Sequence, residues 1–99
     1  MITRTFDLER LTAQLQLWDA EMTHLEAKVA RLAPQDGSAH ATLQEELSKL
    51  RQLWAEAEQA LHRLEQARDD EWKFLLERTE LGLGRLGAAF EQSRARFGE

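Results

Sequence analysis

From Leu8 the apolar residues fall at Leu8, Leu11, Leu15, Trp18, Met22, Leu25, Val29 and Leu32, at alternating intervals of three and four. Residues at that spacing share one side of an α-helix, which completes a turn every 3.6 residues, and the unbroken seven-residue repeat makes the stripe a coiled-coil seam. The charged and polar side chains between them, Glu9 to Arg31, form the solvated faces. A second seam starts at Leu43 and runs through Leu47, Leu50, Trp54, Ala57, Leu61 and Leu64, at intervals of four and three. Between the two lies Ala33-Pro34-Gln35-Asp36-Gly37-Ser38-Ala39-His40. Pro34 disfavours helix at Ala33, Asp36-Gly37 is a turn dipeptide, and Ser38 suits a helix N-cap.

Two seams of equal length joined by one turn predict an antiparallel helical hairpin. Folding back about residues 37–38 sets Val29 by Leu47, Met22 by Trp54, Trp18 by Ala57 and Leu11 by Leu64. A large Trp18 facing a small Ala57 satisfies the volume of a thin seam. Beyond Leu64 the phase slips by one residue, because Arg68, Trp72 and Leu76 follow at intervals of four. No Gly, Pro, Ser or Asn occurs in 65–72, so the spacing favours one unbroken second helix over about 41–97. The alternative is a break near 68–71, with Asp69 or Asp70 capping a third helix.

A continuous second helix is about 87 Å long, against about 43 Å for the first. Its last half then has no partner in the chain, yet Trp72, Leu76, Leu83, Leu86, Phe90 and Phe97 form one apolar face. Such a stripe predicts an interaction surface. Residues 69–80 carry five acids and two bases, a net −3, and 81–98 carry three bases and one acid, a net +2. Antiparallel association of two copies sets these against each other, which favours a homodimer.

Composition narrows the function classes. The 99 residues suit one domain, and zero cysteine removes disulfide, zinc-ribbon and thiol chemistry. The net charge of −5 argues against a general nucleic-acid binder. Charged residues interrupt every apolar run, so no membrane span is expected, and acids near Met1 replace the apolar core of a signal peptide. These features predict a cytoplasmic chain.

Motifs with chemical meaning mostly dissolve on inspection. Gly82-Leu83-Gly84-Arg85-Leu86-Gly87 matches G-x-G-x-x-G, but helical pattern surrounds it where a dinucleotide site needs a preceding strand. The glycines instead suit close helix approach, or a kink. Glu21 with His24, and Glu58 with His62, have helical ligand spacing, but both histidines lie off their seams and His40 lies in the turn. No catalytic, cofactor-binding or metal-binding residue is expected, and no cofactor.

Trp18-Asp19-Ala20-Glu21 followed by Leu25-Glu26-Ala27-Lys28 resembles a W-D-A-E-x-x-x-L-E-A-K signature of short bacterial coiled-coil proteins. Trp72, Leu75, Phe90 and Arg96-Phe97 are similar to the C-terminal pattern of the same family, so the resemblance covers most of the chain outside 33–40. It implies a coiled-coil protein without catalytic activity, and a stress-related role by the label some members carry. Gly82, Gly84 and Gly87 depart from the family's helix-favouring composition.

The combined expectation is an all-α single domain over 1–99. A helix about 4–32 and a turn at 33–40 form a coiled-coil hairpin with a long helix 41–97, which extends into a dimer interface. A three-helix bundle is the alternative. The expected function is non-enzymatic assembly or partner binding, with itself or another protein. The alternative is a peripheral lipid- or granule-surface protein using the amphipathic segment 72–97.

Overall fold

Apolar stripes on three successive helical segments, each too hydrophobic to stand in water alone, close on one another. The computed structural model describes residues 2–32 and 37–98, with side chains from Arg4 to Arg31 in the first segment. They form α1 (Ile2–Leu32), α2 (Gly37–Glu65) and α3 (Asp69–Arg94). Residues 33–36 of the expected turn lie outside the described residues. Its remainder is already helix, since α2 begins at Gly37 rather than near residue 41 and His40 sits in its first turn.

The long second helix is not formed. At the end of α2 the backbone tightens, with Gln66 N–H donating to Arg63 O at 3.2 Å and Ala67 N–H to Leu64 O at 3.1 Å, the bonding of a 3₁₀ turn. Arg68 is extended (φ −78°, ψ 165°) and is the N-cap of α3. Its backbone N–H donates to Glu71 Oε1 at 3.2 Å, while Glu71 N–H donates to Arg68 O at 3.0 Å. Asp69, Asp70 and Glu71 fill the first turn, where carboxylates oppose the positive end of the helix dipole. Three residues without glycine or proline thus reverse the chain. The reversal is driven by burial: Leu83, Leu86 and Phe90 are each at most 4% exposed, and covering one such side chain is worth about 1.5–3 kcal/mol. The molecule measures 53 × 18 × 17 Å, far short of an 87 Å helix.

The contacts give the direction of each helix. Arg51 reaches Glu26 at 3.1 Å and the Trp54 indole N–H donates to Leu15 O at 2.9 Å, so α1 and α2 run antiparallel. Thr79 Oγ1 lies 3.2 Å from Ala60 O, and Ser93 Oγ donates to Glu46 Oε2 at 3.0 Å, so α3 is antiparallel to α2. It therefore runs parallel to α1, and the two are linked at Arg4–Asp69 (2.7 Å) and Arg10–Glu80 (3.4 Å). Past α3, Phe97 is buried beneath a hydrogen bond from Lys28 Nζ to its carbonyl at 2.9 Å. Arg96 pairs with the largely buried Glu46. The C-terminal turn thereby holds all three helices, and Gly98 ends it at φ 78°, a conformation that favours glycine.

Candidate functional surface

Of the six side chains expected to face a partner, Leu83, Leu86, Phe90 and Phe97 are buried, and Trp72 and Leu76 are half-buried against the core. The face predicted for a dimer is therefore the inner face of α3, closed within the chain. The polar residues that interrupt it are satisfied there. Thr79 is fully buried, with its hydroxyl 2.8 Å from Leu75 O in its own helix and 3.2 Å from Ala60 O across the seam. Ser93 meets Glu46 as described. Trp72 is covered by the Arg4 guanidinium, 4.5 Å from the ring centroid, which also pairs with Asp69.

The hairpin register predicts Trp18 against Ala57. Its ring instead stacks on Phe90 of α3, with centroids 4.7 Å apart and planes 14° from parallel. The small residue that admits it is Gly87, where a Cβ would sit 3.3 Å from Trp18 Cζ2. Ala57 is approached by Gly82, where a Cβ would sit 3.8 Å from the alanine Cα. Two of the three glycines thus mark close packing, and α3 runs through all of them as helix. Gly84 faces open space. Beside it a groove of about 470 Å³ lies between α1 and α3, lined by Gln14, Leu17, Trp18 and Leu83, with Arg10 and Glu80 across its rim.

This geometry separates the effects of two similar substitutions. Gly84→Ala should stabilise the protein by about 1 kcal/mol, since it removes the helix-interior cost of glycine and meets nothing. Gly87→Ala should gain less or lose, because its methyl pushes on the Trp18 ring. Urea unfolding of the two variants checks the order; an equal gain at both positions would show that Gly87 does not seat Trp18.

The histidines hold no common site. His24 and His62 are exposed and His40 is half-buried in another part of the molecule. His62 Nδ1 lies 3.3 Å from Glu65 rather than pairing with Glu58. Among the described residues no group of three His, Asp or Glu side chains is placed to hold a metal ion, and no helix is long and apolar enough to cross a membrane.

Four large apolar side chains remain at the surface. Phe6, Leu17, Phe74 and Leu81 are 64%, 59%, 60% and 55% exposed. The inner seams overshadow them in the sequence. Their signal is positional: Phe74 and Leu81 are one heptad apart on α3, and Phe6 and Leu17 are eleven residues, about three turns, apart on α1. Compared with protein families, with curated proteins and with solved structures, the chain matches none.

Proposed function

We propose that this chain is a non-enzymatic helical module of the cytoplasm that acts by protein–protein association, in the first place with a second copy of itself. The observation that carries this is the set of four large apolar side chains left more than half exposed on α1 and α3. Large side chains in water add nothing to the fold of one chain, and at helical spacing they make a surface for another helix. The ionic groups support the same reading. Arg4, Arg10, Arg51 and Arg96 are spent tying helices together. The signature from Trp18 to Lys28 supports placing the chain with short bacterial coiled-coil proteins, and with them a stress-related role. A lipid- or granule-surface role through 72–97 would require the inner face of α3 to leave the bundle.

Sedimentation equilibrium over about 1–200 μM, the range of modest self-affinity, tests the proposal. The weight-average mass should rise from 11.4 kDa towards twice that value. A constant 11.4 kDa across the range would remove the self-association and leave only a different protein as partner.

A further inference from the structure

Helix α1 is patterned on both sides. Its inner seam, including Leu11, Leu15, Leu25 and Val29, fills the core. On the opposite side Phe6, Ala13, Leu17, Ala20, His24 and Ala27 are all exposed. Together with Arg10 they recur at intervals of four and three, the rule that the inner seam obeys. A face made only for water has no need of a seven-residue repeat. Alanine recurring every seventh residue lets a second helix come close, and the larger residues between the alanines fill the space opposite.

We propose that this outer face of α1 binds a second copy of the chain, with the two α1 helices antiparallel about a two-fold axis between residues 18 and 19. The proposal rests on the self-association above and adds its face and its direction. Side-chain chemistry decides the direction. Parallel pairing would put Arg10 on its own copy and His24 on its own copy. Antiparallel pairing sets Arg10 opposite Ala27, Ala13 opposite His24 and Leu17 opposite Ala20, so a large residue meets a small one at every layer. Along the flanks Gln14 comes opposite Glu21 and Glu9 opposite Ala30, with no like charges facing. At each end Phe6 lies by the Arg31 guanidinium of the other copy, a cation–π pairing. Two-fold symmetry makes each of these contacts twice.

The test uses the full chain. Leu17→Asp places a charge at the centre of the contact and should weaken the dimer by about 100-fold, the loss of a central interface residue. Its helical circular dichroism should not change, because Leu17 is 59% exposed in the single chain. Ala55→Asp, at an exposed position of α2, should leave the mass distribution as in the parent. Direction is read by disulfide formation, which is clean because the chain has no cysteine. Ala13→Cys mixed with His24→Cys should cross-link as a pair, while each variant alone should remain largely unlinked. A parent dimer that survives Leu17→Asp overturns the proposed face and leaves self-association standing. Efficient cross-linking of Ala13→Cys to itself overturns the antiparallel direction. A parent chain of 11.4 kDa at every concentration overturns both this proposal and the self-association it rests on.

Discussion

Phe90→Ala should lower the unfolding free energy by about 3–5 kcal/mol, the usual cost of removing a buried phenylalanine. The side chain is 1% exposed and lies on the inner face of α3, stacked on Trp18 of α1. It therefore packs α3 onto α1, beside the ion pairs Arg4–Asp69 and Arg10–Glu80. A domain of this size has about 5–15 kcal/mol in total, so the variant should sit near the threshold of folding. Urea unfolding followed by tryptophan fluorescence gives the value. Trp18→Ala should cost less, because its ring is only half-buried beside the α1–α3 groove. Their double variant should show a coupling of about 0.5–1.5 kcal/mol from the ring stack. A loss below about 1 kcal/mol for Phe90→Ala would mean that α3 does not hold its side chain in a close-packed core.

The second large effect comes from removing α3. A chain ending at Ala67 keeps both seams first read from the sequence, and as a free-standing hairpin it would melt as a weakly stable monomer. The structure calls for a larger loss. Residues along α2 face α3 as well as α1: Ala57 touches Gly82, Ala60 accepts from Thr79, and Glu46 bonds Ser93 and Arg96. Truncation leaves these positions in water and removes Phe90 from Trp18. With about one third of the chain and one layer of its core gone, cooperative thermal unfolding by circular dichroism should disappear. A sharp transition near the full-length midpoint would show that α3 contributes little.

The helical class of this chain is written in the intervals of three and four, which no strand could use. The break at 66–68 is not legible in the same way, because nothing in its composition marks it. Helix propensity through Gln66, Ala67 and Arg68 is good, and the chain reverses there because Leu83, Leu86 and Phe90 need cover. Only the phase slip from Leu64 through Arg68 to Trp72 carried that information, and a slip is equally compatible with a continuous helix. The placement of Trp18 depended on that break, since Phe90 and Gly87 come within reach only once α3 folds back. A third helix also changed the meaning of the apolar face at 72–97, from a surface for a partner to an interior. The outer stripe of α1 is faint in the sequence for a different reason. Alanine contributes little hydropathy, and Arg10 and His24 interrupt the pattern, so its period shows only when the exposed residues are viewed apart from the buried ones.

The three-residue connection between α2 and α3 also bears on how quickly the protein assembles. Closing so short a link costs little chain entropy, and Thr79 finds Ala60 only 19 residues away. Contacts of such small sequence separation form on the microsecond-to-millisecond scale typical of helical bundles. The α2–α3 pair should therefore form early in a refolding chain. The ties from α1 to α3, Arg4 to Asp69 and Lys28 to Phe97, span most of the chain. They close last, because Phe97 must have left the ribosome before Lys28 can donate to its carbonyl.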